Sequence, residues 1–129
     1  MSLAYVDASA LTKLILDEPW SGAMRQWYVE AERVTSSVIG LIETRRAVSR
    51  QMNEPERVER ILGSVITLEV NEVIVRVAGS LRPATLRTLD AVHLASALGL
   101  LGQLTAFVTY DDRLAEAARA AGLPVVRPA

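Results

Sequence analysis

The stretch "LAYVDASAL", residues 3–11, decides how the rest of the chain is read. Leu3 to Val6 is a short, uninterrupted apolar run that ends on a carboxylate, Asp7. Ala8, Ser9 and Ala10 then open a helical pattern of small residues and a hydroxyl. A continuous apolar run of this length describes a parallel strand covered on both faces, with the acid where the chain leaves the sheet. In open α/β sheets ligands bind at the carboxyl ends of the strands, which is where Asp7 would project.

Working outward, the first helix is expected from about Ser9 to Leu16. Asp17, Glu18 and Pro19 end it, because the residue before a proline is pushed out of the α region. A second helix starts near Ser21 and carries Met24, Trp27, Tyr28 and Ala31 at helical spacing. Its aromatic residues read as core packing or a partner-facing surface rather than a platform for stacking bases. "RVTSS" (33–37) is a short strand running into a cap, Ser36 or Ser37. The helix that follows runs through "VIGLIETRRAVSRQM", with Ile39, Ile42, Arg46 and Ser49 along one stripe. Asn53, Glu54 and Pro55 cap a mixed-charge, solvated helix, "PERVERILGSV".

"ITLEV" (66–70) is the third strand, and Asn71 caps a helix to about Leu81 before Arg82 and Pro83 break the pattern. A long helix is expected from near Thr88 to Gly102. "TAFVTYDDRL" then repeats the opening logic, with an apolar strand, Ala106 to Val108, ending in acids. A final alanine-rich helix runs to Ala121, where Gly122 and Pro124 are stop signals, and "VVR" reads as a last strand. Strands alternating with helices imply a three-layer α/β/α sandwich around a central parallel sheet. With no repeat, linker or low-complexity segment, residues 1–129 read as one domain.

Composition limits the function classes. Half of the 129 residues are apolar and 22% are charged, which excludes disorder and suits a domain with its own core. The chain has no cysteine and one histidine, so disulfides, thiolate metal sites and His-rich zinc sites are excluded. No charged leader with a cleavable apolar core and no membrane-length apolar run is present, so a soluble, cytoplasmic protein without membrane association is expected. The net charge of −1 argues against an overall basic coat. All basic side chains but Lys13 are arginine, which suits bidentate phosphate contacts. Nucleic acid would therefore be met by a local basic rim rather than by the overall field.

Most of the fifteen acids fall at helix ends or on charged faces. Four do not. Asp7 and Asp111 follow apolar strands, Glu43 lies beside Leu41 and Ile42, and Asp90 opens the most apolar helix beside Leu89, Ala91 and Val92. Buried carboxylates need a partner, a hydrogen bond or a metal. Taken singly, Asp7, Asp90 and Asp111 also read as helix N-caps, with Asp112 sharing the last role. Glu43 also reads as one half of a surface ion pair with Arg46. Taken together, four converging acids without matching cations would repel one another and raise their own pKa values. A divalent cation removes that conflict. Mg²⁺ takes oxygen ligands and is typically held by a few carboxylates, where it can activate water against a phosphodiester.

"VDASAL" (6–11), "IETRRA" (42–47), "LDAVHLASAL" (89–98) and "FVTYDDRLAEAA" (107–118) resemble, in order and spacing, the four signature blocks of PIN-domain ribonucleases. More narrowly, the chain resembles the VapC-type toxins of bacterial toxin–antitoxin pairs. The resemblance implies a metal-dependent endoribonuclease using Mg²⁺ or Mn²⁺, with RNA as substrate. It implies that Asp7, Glu43, Asp90 and Asp111 form the acidic metal cluster. Ser9 and Thr109 would be the hydroxyl residues beside it, and Asp112 a contributor at its rim. It implies a homodimer silenced by a cognate antitoxin protein.

Arg45 and Arg46, in the second block, lie beside the site and read as RNA phosphate contacts, as partners of the acidic cluster, or as a solvated helix face. His93, one turn after Asp90, is tempting as a general base, but a fixed structural hydrogen bond is the better reading. Leu14, Trp20, Met24 and Trp27 suggest an apolar groove on the first helices for an antitoxin segment. A rival phosphatase reading would use Asp7 as nucleophile but wants a second aspartate where Ser9 stands. A phosphoacceptor receiver domain wants a lysine late in the chain, and the only lysine is Lys13. A catalytically silent PIN-like binding module is the remaining alternative, disfavoured because all four acids are present.

Overall fold

The computed structural model describes residues 2–129. Five parallel strands, β1 (Ala4–Val6), β2 (Val34–Ser37), β3 (Ile66–Leu68), β4 (Ala106–Val108) and β5 (Val125–Val126), form one sheet in the order β3-β2-β1-β4-β5. Helices α1 (Ala8–Ile15) and α2 (Ser21–Glu30) join β1 to β2, and α3 (Val38–Ser49) and α4 (Pro55–Leu62) join β2 to β3. Helices α5 (Glu72–Ser80) and α6 (Thr88–Leu98) carry the chain back to β4, and α7 (Asp112–Ala120) leads to β5. The opening strand is central, with β2 on one side and β4 on the other. The strand order therefore reverses at β1, which opens a crevice at its carboxyl end.

Alternation along the strands builds two cores. Ala4, Val6, Ala106 and Val108 face one layer, packed with Leu11, Leu14, Ile15, Met24, Val48 and Leu62 from α1 to α4. Leu3, Tyr5 and Phe107 face the other, packed with Leu94 and Ala97 of α6 and Leu114 and Ala118 of α7. Burial on both faces is why β1 and β4 read as continuous apolar runs. The expected α/β/α sandwich is present. No helix among the described residues is long and apolar enough to cross a membrane.

Two local expectations need correction, and the stripe read on α3 gains a direction. The helix from Thr88 stops at Leu98 rather than Gly102. At Leu100, Leu101 and Gln103 the amides bond three residues back, to Ala97, Leu98 and Leu100, so the chain leaves the helix in tight turns and returns to bury Leu104. The exposed stripe of α3 contains Ile42, whereas its buried side is Gly40, Thr44 and Val48. The proposed apolar groove on the first helices does not exist as such. Leu14 and Met24 are core residues at 4% and 0% exposure, because α1 and α2 turn them toward the sheet, and only Trp20 of the set is exposed.

Candidate active site

Asp7 follows β1 and caps α1, its Oδ1 accepting the amide proton of Ala10 at 3.0 Å. Two hydroxyls complete its surroundings. Ser9 donates to Oδ1 at 2.6 Å and accepts the amide of Tyr110, while Thr109 donates to Oδ2 at 2.5 Å and accepts the amide of Asp111. Each hydroxyl spends its one proton on the carboxylate and ties it to the turn after β4. Asp7 is buried, and burial pushes its carboxyl above the ordinary range, opposed by His93 and by the hydrogen bonds from Ser9, Thr109 and Ala10. Ser9, which stands where the phosphatase reading wants a second aspartate, donates its proton to Asp7 instead.

Asp111 caps α7, as its position after β4 suggested, its Oδ1 accepting the amide of Leu114 at 3.0 Å. Asp90 lies in the first turn of α6 rather than at its cap, which is Arg87. Burial and the neighbouring Asp111 hold the Asp90 carboxyl above the ordinary range, while Arg87 and His93 draw it down. Glu43 sits one turn beyond Gly40 on α3 and accepts a 2.7 Å hydrogen bond at Oε1 from His93 Nε2. The opposite ring nitrogen, Nδ1, meets the Tyr5 hydroxyl at 2.7 Å. His93 is 1% exposed, so it anchors Glu43 from below.

The structure brings all four acids together. Asp7, Glu43, Asp90 and Asp111 line one pocket of about 350 Å³ with Ser9, Arg87 and His93. Among the described residues, no three His, Asp or Glu side chains are drawn close enough to hold an ion as they stand. Among the described residues neither Arg45 nor Arg46 pairs with these acids, but Arg87 does, reaching Asp90 Oδ2 at 3.4 Å and Asp111 Oδ2 at 3.1 Å. Sequence reading missed it, although its spacing of three residues before Asp90 is a helical ion-pair spacing. Asp112 is exposed and pairs with Arg127 rather than joining the pocket. Arg45 is turned away and paired with Glu59, while Arg46 lines an adjoining groove of about 640 Å³ with Lys13, Arg50, Glu43 and Tyr110.

Comparison with known proteins points to one family. The family model described as PIN domain matches residues 4–120. Ribonuclease VapC47 of Mycobacterium tuberculosis (strain CDC 1551 / Oshkosh) is 39% identical over 132 residues, covering 98% of this chain and 97% of that protein. Ribonuclease VapC46 of Mycobacterium tuberculosis (strain ATCC 25618 / H37Rv) is 36% identical, covering 99% of each. Among solved structures, Mycobacterium tuberculosis VapC20, described as a Sarcin-Ricin loop cleaving toxin, superposes with a TM-score of 0.75 at 18% identity, over 97% of this chain and 99% of that one. A chain of a toxin-antitoxin complex from Klebsiella pneumoniae superposes with a TM-score of 0.73 at 21% identity, over 98% of each. At those identities the structures speak for the fold alone, and the family model and the two relatives carry the assignment. The chain belongs to the PIN-domain family, among the VapC proteins.

Proposed function

We propose that the protein is a metal-dependent endoribonuclease, the toxin component of a toxin–antitoxin pair, hydrolysing RNA phosphodiesters. The observation that carries this reading is the convergence of Asp7, Glu43, Asp90 and Asp111 on one pocket at the carboxyl ends of β1 and β4. The relatives named as ribonucleases support the reaction class. The donor set fits Mg²⁺ or Mn²⁺, being made of carboxylate oxygens with no thiolate and with one imidazole already committed to Glu43. Asp90 and Asp111 also share a single arginine, a charge deficit that a dication would fill.

Asp7, Asp90 and Asp111 would hold the ion, directly or through water, with Glu43 helping. When bound, the ion would supply Lewis acidity toward the phosphate and lower the pKa of water. The chain's own residues do the positioning. Ser9 and Thr109 fix both oxygens of Asp7, so it enters the reaction without reorganising. His93 holds Oε1 of Glu43, which leaves Oε2, without a hydrogen bond among the described residues, to take a proton from the attacking water. In the adjoining groove Arg46 and Arg50 offer cations to the phosphates beside the scissile one, while Lys13 is held by Glu18.

An antitoxin partner belongs to the same proposal, supported by the toxin-antitoxin complex among the structures of like fold. A homodimer is supported by α5, which buries none of its residues and exposes Val73 and Val75.

The test is RNA cleavage by antitoxin-free protein with Mg²⁺ or Mn²⁺ and then with EDTA, beside Asp7→Asn and Asp90→Asn. Metal-dependent cleavage, lost in both folded variants, is expected. Cleavage that survives EDTA or both substitutions would overturn the mechanism. Metal-independent RNA binding without cleavage would favour the silent binding module.

A further inference from the structure

Arg87 stands where local rules disfavour it. It is the N-cap residue of α6, and its side chain makes no capping bond there. Ser, Thr, Asp or Asn at this position would satisfy an orphan amide, and a positive charge beside a helix N-terminus opposes the helix dipole. What offsets both losses is the pair of carboxylates it touches, Asp90 from the first turn of α6 and Asp111 from the cap of α7. These acids belong to different elements, and the guanidinium is the only cation that pairs with either of them among the described residues.

Its hold is loose. The Arg87 side chain is 66% exposed, and neither contact is short. Exposed pairs of this kind are weak and exchange readily. The side chain also forms part of two cavities. One is the acid pocket, and the other is a neighbouring groove of about 440 Å³ lined by Pro83, Thr85, Arg113 and Glu116. A guanidinium leaving the acids therefore has adjacent space to occupy, with a carboxylate, Glu116, on its wall.

We propose that Arg87 is a built-in counter-cation: it bridges Asp90 and Asp111 until a divalent ion enters, is displaced by that ion, and so sets the affinity with which the ion binds. The proposal rests on the metal-dependent reading above. It explains why the acids line one pocket without standing at ion-holding separations. A monovalent fork on a flexible stem satisfies one oxygen of each acid, and a dication competes for both acids with twice the charge.

The test is Mn²⁺ binding without RNA, with free ion read by electron paramagnetic resonance. Wild type is compared with Arg87→Gln, Arg87→Lys and Arg113→Gln. Thermal unfolding in EDTA and in Mn²⁺ is measured alongside. Removing the competitor should tighten Mn²⁺ binding about five- to tenfold in Arg87→Gln, within the usual range of coupling between competing ligands. The same variant should melt lower in EDTA and gain more from Mn²⁺ than wild type does. Arg87→Lys, which keeps the charge, should fall between the two, and it decides the question if the glutamine variant does not fold. Arg113→Gln, which lines the groove but pairs with neither acid, should match wild type. Unchanged or weaker Mn²⁺ binding in folded Arg87→Gln would overturn the proposal. If no variant binds Mn²⁺, including wild type, the metal-dependent reading falls and this proposal falls with it.

Discussion

The Tyr5 hydroxyl and His93 Nδ1 lie 2.7 Å apart although 88 residues separate them in sequence. The same hydroxyl accepts the amide proton of Ser37 at 3.2 Å, so its own proton points at the imidazole. Burial keeps the phenol protonated far above its ordinary range. The ring therefore carries its proton on Nε2 and donates it to Glu43. A backbone amide at the end of β2 thus fixes which way a carboxylate in the pocket faces.

Removing the imidazole should act on chemistry more than on binding. His93→Ala is expected to lower kcat about 10- to 100-fold, the usual effect of losing the group that orients an active carboxylate, with KM little changed. Tyr5→Phe should be milder in kcat and should destabilise the fold by about 1–3 kcal/mol, because Nδ1 is left buried without a donor. Single-turnover kinetics and denaturant unfolding separate the two effects. Wild-type kcat in His93→Ala would exclude the positioning role.

Gly40 has a similar dependence on His93. A Cβ at this position would lie 2.5 Å from Ser36 Oγ and 2.9 Å from His93 Cε1. Helix propensity alone would favour alanine by about 1 kcal/mol. The overlap should win, since overpacking a filled site costs about 1–3 kcal/mol. Gly40→Ala is therefore expected to lower Tm and cleavage together, and a stabilised variant would contradict the packing described.

The acid cluster should give an inverted pH dependence when metal is withheld. Asp7 and Asp90 are both held above the ordinary carboxylate range by burial, with Asp111 adding to Asp90. Between the ordinary range and those raised values the folded state binds more protons than the unfolded state. Stability in EDTA should therefore rise as pH falls through the raised values and level off once the ordinary range is reached. The ion pairs that lower Asp17 and Glu59 act only below that window. Asp90→Asn should flatten the rise and add about 1 kcal/mol at neutral pH while abolishing cleavage. Denaturant midpoints measured across pH 4.5–7.5 check it; a wild-type midpoint that falls steadily with acid would count against it.

Neighbouring arginines should separate cleanly in RNA binding. Arg46→Gln is expected to weaken binding of a single-stranded RNA in Ca²⁺ or EDTA and to reduce the salt slope by about 0.7, one phosphate contact. Arg45→Gln should leave both unchanged, because Glu59 already holds that side chain away from the groove. Fluorescence anisotropy over a salt series distinguishes them. Equal losses in both variants would mean that the RNA path does not follow the groove.

Much of this was legible in the residues. Strands buried on both faces announce themselves as unbroken apolar runs, which is why Ala106–Val108 could be bounded from sequence and why the acids after β1 and β4 stood out. Glu43 and Asp90 were visible as charges in apolar surroundings. What could not be read was direction. Met24 and Leu14 carry the same periodicity whether they face a groove or a sheet, and only the packing of α1 and α2 decides it. Arg45 and Arg46 are likewise equivalent in sequence and divided by the position of Glu59. Arg87 was hidden because it sits in a segment that reads as a helix break, and its second partner, Asp111, is 24 residues away.

The hydrogen bond from Thr109 to Asp7 joins positions 102 residues apart. During synthesis, the first acid leaves the ribosome long before the hydroxyl that orients it, and Asp111 follows later still. A nascent chain therefore carries no assembled cluster until β4 has been made and has paired beside β1. On the proposed ribonuclease reading the order of the strands is a delay: the four acids share a pocket only after nearly all of the domain has been translated and folded.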